Sequence, residues 1–475
     1  FPDVKIVFGN CNSVSDLVAE FFRRGYPVEN IDYFGIESAG QTWMPEKPIE
    51  YGTQAAWFVR ETGRKFGYNL PVTSCYEWIY RQDRLLGEKT QAEWYVRDAL
   101  IGLAYRFPTI SIAILYDVGN CYYNTLWGAS GLLKRYPLLY PKPSYVAMAT
   151  LTRVLDRAEF LRRIRTSSDT VYVLEFKKGQ EYVYVIWTPR GRCEVKLQFE
   201  NEGSIAIEDI FGRKKPFSLN KRKLRFVAGT DVTYIVSSVP VMEIVSGKRI
   251  FDQGNESRKA TIVNRMDNIS EWELIGEKDP RLEKPVRTHT PLRTLGNYVM
   301  RNVIDSEMGN CIELELVPYG NVPEIMNEYT VIRLKKPITI GGKATTIGVW
   351  IKGNSSWGRI MWEIEDAEGK LFLSCGTDGW GCDILDWPGI VSINFDDWCY
   401  LEFPLTKDSP LDYEKMVPGG VSGQWIVTGG NGNKKMVYPI KIKGLAVEMS
   451  RKTLDLTEMV PVRNFSIRLK NLCVE

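Results

Sequence analysis

The sequence predicts a multidomain chain that is α/β at its start and all-β after it. It reads as the last four β-α units of a (β/α)8 barrel, then a small antiparallel β-sandwich, then a larger C-terminal β-sandwich. Three observations predict this. Short apolar runs alternate with helix-length segments over residues 1–160, the pattern of a parallel sheet covered by helices. From Thr170 onward, runs of period two separated by turn residues replace that pattern. The length of 475 residues calls for more than one domain.

Val4 to Phe8 reads as a short strand closing on Gly9-Asn10, and Ser13 as the N-cap of a helix from Val14 to Arg24. Ile31 to Glu37 is the next strand, and Thr53 to Phe66 a helix ended by Gly67 or Asn69. The apolar run Leu70 to Tyr76 is the third strand and delivers one acidic residue, Glu77, with Trp78 beside it. Thr90 to Phe107 reads as an amphipathic helix with Val96, Leu100, Leu103 and Phe107 on one face, stopped by Pro108. Ile110 to Tyr116 is a fourth strand, delivering Asp117. After a Gly- and Asn-rich loop, Ser144 to Leu155 is a helix with Met148, Leu151 and Leu155 on one side. Four such units are half of an eightfold barrel, and alone they would leave apolar sheet edges open, which soluble proteins avoid. The expectation is that residues before Phe1 or a second chain complete the barrel, or that the four units form a smaller open sheet.

Residues 161–240 read as the small sandwich. Val171 to Phe176 and Tyr182 to Trp187 form a hairpin around Lys178-Gly179-Gln180, followed by strands at Cys193 to Phe199, Ile205 to Ile210, Leu224 to Val227 and Val232 to Val236. Residues 241–260, with Ser246-Gly247-Lys248 and Asp252-Gln253-Gly254-Asn255, have the composition of a linker. Residues 261–475 are again β-rich: Thr345 to Lys352 and Arg359 to Glu365 flank a Gly-Asn-Ser-Ser turn, and Trp398 to Phe403, Ile440 to Val447 and Phe465 to Leu472 continue the pattern.

Bulk properties exclude several functions. A net charge of +3 with no long basic run argues against nucleic acid. Arg213-Lys214-Lys215 and Lys221-Arg222-Lys223 read as a solvated hairpin. The single histidine, His289, argues against a Ser-His-Asp triad or a histidine-rich metal site, so carboxylates are the acid-base groups left in quantity. Nine cysteines carry no CxxC pair. Cys375 and Cys382 flank a Gly-Trp loop as a candidate pair, whereas Cys11, Cys75 and Cys121 read as small packed groups. Gly429 to Asn433 lacks the Lys-Ser/Thr of a phosphate loop and reads as a hairpin turn. No apolar run reaches membrane-spanning length. Aromatics at 12% suit either sugar stacking or large β cores.

Several stretches resemble the retaining (β/α)8 glycoside hydrolases that carry catalytic carboxylates on strands four and seven. Phe1 to Gly9 looks like that superfamily's fifth strand, Val28 to Gly35 like its sixth, and the strand ending in Glu77 like its seventh. Gly131-Leu132-Leu133 with Pro141-Lys142-Pro143-Ser144-Tyr145-Val146-Ala147 resembles the exit from the eighth strand into the last helix. The resemblance implies that Glu77 is the nucleophile and that the acid/base stands on a fourth strand, before Phe1, matched by no residue of this chain. Glu37 then offers a substrate hydrogen bond or like-charge tuning of Glu77, or else a structural pair with Arg81. Trp43, Trp78, Tyr80, Asp117, Asn120 and Trp127 are expected to line the sugar site or to pack its rim.

The C-terminal region resembles galactose-binding-like jelly-roll carbohydrate-binding modules. The likeness lies in Met266-Asp267-Asn268, Trp350-Ile351-Lys352-Gly353, Glu365 to Gly369, Asp397-Trp398 and Ile467 to Leu472. Exposed rings at Trp357, Trp380 or Trp387 would hold glycan, and a structural calcium is common in that class. The implied function is a retaining glycoside hydrolase acting on a polysaccharide or oligosaccharide at or outside the cell surface, with no cofactor for catalysis. The competing expectation is a non-catalytic glycan-binding or surface-assembly protein built on a decayed or split barrel.

Overall fold

The computed structural model describes residues 3–11, 15–38, 44–48, 52–77, 87–112, 115–117, 130–135, 138–251, 260–283, 293–317, 327–342, 344–374, 392–405, 425–429 and 436–475. The chain divides into two compact units, Phe1–Ile250 with Leu454–Glu458, and Phe251–Thr453 with Met459–Glu475.

The first unit opens with three parallel strands, β1 (Val7–Cys11), β2 (Tyr33–Ser38) and β3 (Val72–Glu77), side by side in chain order. Helices α1 (Ser15–Arg23) and α2 (Ala55–Lys65) make the crossovers. Phe34, Ile36 and Val72 bury one sheet face against Val18 and Phe22 of α1 and Ala55, Ala56 and Val59 of α2. Gly9 adopts φ +117°, and a Cβ there would stand 2.5 Å from the Gly35 carbonyl oxygen, so β1 can approach β2 only with glycine at that position.

The expected fourth strand, Ile110 to Tyr116, is described only at its two ends, since residues 113 and 114 lie outside the described residues. Among the described residues, the stretch from Ile110 to Tyr116 forms no continuous ladder, and Tyr116 makes one parallel bridge to Leu133. Leu133 belongs to a two-residue strand, β4 (Leu133–Lys134), paired with β5 (Tyr140–Pro141). The described parallel sheet has three strands, and no closed barrel is present among the described residues.

Helix α3 (Glu88–Ala104) is corrected. It is buried almost all round, including Gln91, Glu93, Arg97 and Asp98 on the side expected to face water. An all-round buried helix must pair its polar groups internally. Asp98 accepts from Thr53 Oγ1 at 2.6 Å, and Tyr95 donates to the Ser130 carbonyl at 2.6 Å. Helix α4 (Pro143–Leu155) starts with proline at its first position, where no N–H is missed.

The sandwich of this unit has a five-stranded sheet built from β6 (Glu159–Arg163), β7 (Tyr172–Lys178), β8 (Glu181–Trp187), β10 (Ile205–Glu208) and β13 (Thr233–Ser237), in the order β10-β13-β8-β7-β6. Its companion runs β11-β12-β9-β14 from β9 (Arg192–Phe199), β11 (Leu219–Asn220), β12 (Lys223–Ala228) and β14 (Val241–Ile250). Tyr172, Leu174, Phe176, Val183, Val185 and Trp187 join the core that contains α3 and α4. Val173, Tyr184 and Ile186 face Val195 and Leu197 in a second core. Both faces of the β7-β8 hairpin are thus covered, which is why these strands carry almost unbroken apolar sequence.

The first half of the expected linker is likewise a strand. β14 pairs with β9 from Val241 to Ile250, and its polar residues are engaged: Ser246 Oγ hydrogen-bonds Ser167 and Thr166, and Arg249 reaches Ser168 and Thr170. Edge-strand solvation had made it look like a linker.

The second unit is built on two mainly antiparallel sheets. One contains β15 (Thr261–Asn264), β18 (Tyr298–Asp305), β19 (Gly309–Leu316), β21 (Thr346–Asn354), β24 (Asp396–Pro404) and β29 (Ser466–Val474), with the path β18-β19-β29-β21-β24 and β15 beside β29. The other contains β16 (Trp272–Ile275), β17 (Arg293–Leu295), β20 (Asn327–Ile340), β22 (Arg359–Glu365), β23 (Leu371–Leu373), β25 (Ile426–Gly429) and β26 (Ile440–Met449). Its path is β16-β20-β26-β22-β23-β25, with β17 parallel to β20. A short helix, α5 (Pro280–Glu283), and a hairpin of β27 (Lys452–Asp455) and β28 (Glu458–Pro461) complete the elements.

β21 and β22 do not form a hairpin around the Gly-Asn-Ser-Ser turn. They lie in different sheets, and the segment between them crosses from one to the other. Ser355 and Trp357 adopt left-handed backbone at φ +54° and +58° on the way. Among the described residues, no helix is long and apolar enough to cross a membrane.

The crossing yields a stability prediction. A Cβ on Gly358 would meet the Glu448 carbonyl oxygen at 1.9 Å, whereas one on Gly341 meets nothing within 4 Å. Gly358→Ala should destabilise the second unit by about 3 kcal/mol or more, while Gly341→Ala stays within about 1 kcal/mol of the parent in urea unfolding.

Candidate functional site

Parallel strands end on one edge of their sheet, and residues there share a common mouth. Because Phe34, Ile36 and Val72 face the helices, alternation turns Gly35, Glu37 and Thr73 to the opposite face. Thr73 on that face meets Thr109, with 3.1 Å between the two hydroxyl oxygens, bringing the stretch before Tyr116 alongside β3. Glu37 is half-buried near the end of β2.

Glu77 is the last residue of β3. The β2–β3 ladder skips one residue at Cys75, so Tyr76 pairs with Glu37 and Glu77 with Ser38. A bulge of this kind bends a strand and re-aims the residues that follow it. The Glu77 side chain lies outside the described residues, as do Trp43, Trp78, Tyr80, Arg81, Asn120, Trp127, His289, Cys375, Trp380, Cys382 and Trp387.

Asp117, expected at the mouth, is buried. It is paired with the fully buried Lys142 Nζ, and one carboxylate oxygen also accepts from the Gly131 N–H at 3.1 Å. A Cβ on Gly131 would stand 2.3 Å from the Tyr116 carbonyl carbon, so glycine is obligatory at that close approach. Lys142 also stands at the N-cap of α4, its N–H donating to the Leu132 carbonyl at 2.9 Å. Asp117 and Lys142 thus form a buried ion-pair clasp between two chain segments.

A second buried carboxylate, Glu46, carried no signal in the sequence. It lies in the connection between β2 and α2, fully buried. Arg97 of α3 grips it with both forks, Nε at 2.6 Å and Nη2 at 2.8 Å, and Trp187 Nε1 of β8 donates to it at 2.7 Å. A bidentate Arg–carboxylate pair with an added indole donor satisfies a charge that burial would otherwise penalise by several kcal/mol. The segment following Glu37 is thereby tied to the helix and to the sandwich. The three partners are 51 and 141 positions apart, which no local pattern reports.

In the second unit, Trp357 is corrected as a glycan ring. It is 4% exposed, held in the sheet-crossing segment with its N–H on the Ile393 carbonyl at 3.1 Å. The seven-stranded sheet instead carries a ladder of ion pairs. Glu448 is 2.6 Å from both Arg293 Nε and Arg359 Nε, while Glu363 accepts from Arg333 Nε at 2.9 Å and pairs with Arg281. Burial pushes the Glu363 carboxyl up, but the bonds from Arg333 and Arg281 outweigh it and hold it below its ordinary range. Among the described residues, no group of three or more His, Cys, Asp or Glu side chains is placed to hold a metal ion.

No family model matches the chain, and no curated protein matches it. Among solved structures, it is similar to a family 39 glycoside hydrolase from the gut symbiont Bacteroides cellulosilyticus WH2, at 17% identity and a TM-score of 0.43, over 50% of this chain and 51% of that one. It is similar to a glycoside hydrolase family 30 subfamily 8 xylanase from Clostridium acetobutylicum, at 10% identity and a TM-score of 0.34, over 50% and 56%. It is also similar to a family 11 carbohydrate-binding module of a cellulosomal cellulase from Clostridium thermocellum, at 13% identity and a TM-score of 0.23, over 45% and 93%. The chain spans about half the length of the first two. Superpositions this loose do not establish a shared fold, and no residue role is carried over from them.

Two predictions follow from the buried charges. Arg97→Ala strands Glu46 in the interior and should cost about 3–5 kcal/mol in chemical unfolding. Lys5→Ala, which removes an exposed pair with Asp32, should leave the unfolding midpoint nearly unchanged. Glu93 behaves oppositely with pH. Its carboxyl is raised above its ordinary value by burial, more than Arg97 and Lys89 lower it. The folded chain therefore holds that proton more tightly than the unfolded one, and stability falls as pH rises from the unfolded value through the folded one. Glu93→Gln should raise the thermal midpoint at neutral pH, with the gain vanishing below about pH 4. An equal gain at both pH values would contradict this.

Proposed function

We propose that the first unit is part of a retaining glycoside hydrolase acting on a polysaccharide or oligosaccharide, with Glu77 as its nucleophile. The observation that carries the reading is the placement of Glu77 at the end of β3, beside β2 with Glu37 near its own end. Neighbouring strands lie about 4.8 Å apart, so the ends of β2 and β3 are adjacent in the sheet. In a retaining cycle, one carboxylate attacks the anomeric carbon and a second carboxyl, about 5–5.5 Å away, protonates the leaving oxygen and later activates water. No residue of this sequence is proposed for that second group.

Glu37 has a supporting role in this reading. A nearby like charge disfavours ionisation of its neighbour, and a hydroxyl of the sugar offers it a hydrogen-bond partner. Trp43, Trp78, Tyr80, Asn120 and Trp127 are proposed to bound the sugar subsite, and the clasp of Asp117 on Lys142 to hold its floor. The second unit is proposed to bind glycan, with Trp380 and Trp387 as candidate rings. The proposed location is outside the cell or on its surface, which fits a polysaccharide substrate.

Trapping tests the assignment. Incubation of the assembled barrel with a panel of activated 2-deoxy-2-fluoro glycosides should add one glycosyl mass to the peptide containing Glu77. Glu77→Gln should abolish the label and lower turnover by about a thousandfold or more. Absence of any label on the assembled barrel would count against hydrolysis and for the glycan-binding protein.

A further inference from the structure

The outer face of the six-stranded sheet holds a small cleft of about 120 Å³ lined by Lys352, Gly353, Asn464, Ser466 and Arg468. Its electrostatics follow from Asp305, whose carboxylate is fully buried beneath it. Lys352 Nζ at 2.9 Å and Arg468 Nη1 at 2.6 Å both donate to the same carboxylate oxygen. The other oxygen takes Trp398 Nε1 at 3.0 Å and the N–H groups of Glu307 and Met308 at 2.9 and 3.3 Å. Five donors saturate what two carboxylate oxygens can accept.

The negative charge is therefore inside, and the two cations it gathers are each 31% exposed on the cleft side. Glu313 takes Arg468 Nε at 3.1 Å. Among the described residues, Arg468 Nη2 has no partner, and the Lys352 ammonium has used one of its three hydrogens. The nearby acceptor is turned away as well: Asn464 Oδ1 receives both the N–H and the O–H of Ser466 at 3.0 Å. That leaves Asn464 Nδ2 as a further donor without a partner among the described residues. A lining of free donors around paired cations selects an oxyanion.

Size decides how much of a ligand enters. Pockets that enclose a whole small molecule run to roughly 300–1,000 Å³, so this cleft takes one functional group. The rest of the ligand would lie on the sheet. There, Trp350 precedes Lys352 by two residues on the same strand face and is half-buried, with its ring 5.4 Å from Tyr400.

We propose that this cleft binds the carboxylate of a uronic acid residue, making the second unit a reader of acidic glycans. The inference rests on the glycan reading only for the sugar that carries the carboxylate.

Isothermal titration of the full chain with D-glucuronate, D-galacturonate, acetate and D-glucose tests it. At least one uronate should bind with about millimolar affinity at low salt, acetate at least about tenfold more weakly, and glucose without measurable heat. Asn464→Asp keeps the acceptor that Ser466 uses and adds a negative charge, so it should weaken uronate binding by about tenfold or more with an unchanged circular dichroism spectrum. Arg468→Gln should do the same. No heat with either uronate, or equal binding by Asn464→Asp and the parent, overturns the proposal. Acetate binding as tightly as uronate reduces the cleft to a simple anion site and overturns it too. None of these readings involves Glu77, so failure here and failure of the glycosyl trap are separate results.

Discussion

The first unit depends on one buried charge. Glu46 sits where no water can solvate it, and its stability comes entirely from Arg97 and the Trp187 indole. Those three residues belong to a loop, a helix and a sandwich strand, so satisfying one carboxylate locks three layers together. Removing any one partner leaves an uncompensated group in a low-dielectric interior, which is far costlier than losing a surface pair.

The same constraint explains helix α3. Packed on one side by the parallel strands and α4 and on another by the β7-β8 hairpin, it has no solvent face left for Gln91, Glu93, Arg97 and Asp98. Each is used as a tie or tolerated at a cost. Asp98 on Thr53 and Arg97 on Glu46 both anchor the β2–α2 connection, the segment that follows Glu37. The candidate mouth is thus held from behind by a polar lattice rather than by apolar packing alone.

The second unit uses charge differently in its two sheets. On the seven-stranded sheet, arginines flank the buried carboxylates of Glu448 and Glu363. On the six-stranded sheet, Asp305 draws two cations together and leaves their remaining donors outward. Burial raises the Asp305 carboxyl, but the bonds from Lys352, the Glu307 N–H, Trp398 and Arg468 outweigh it, so it stays ionised far below the usual carboxylate range. A carboxylate that stays charged keeps the cation pair in place across the whole neutral range.

Local chemistry was legible wherever it decided the structure by itself. Apolar and alternating runs bounded by turn residues located β7, β8, β9, β22 and β26 within a few residues, because strand patterning and turn residues such as Gly179, at φ +58°, act over short distances. The acidic residue closing β3 was likewise visible as the end of an apolar run. Tertiary structure decided the rest. It enclosed α3 on every side, made a strand of Val241 to Ile250, separated β21 from β22 into different sheets and buried Trp357. The physical reason is common to all four. Hydrogen-bond partners, close glycine approaches and ion pairs such as Glu46–Arg97 or Asp305–Arg468 join residues tens to hundreds of positions apart, and only the folded chain brings them within reach.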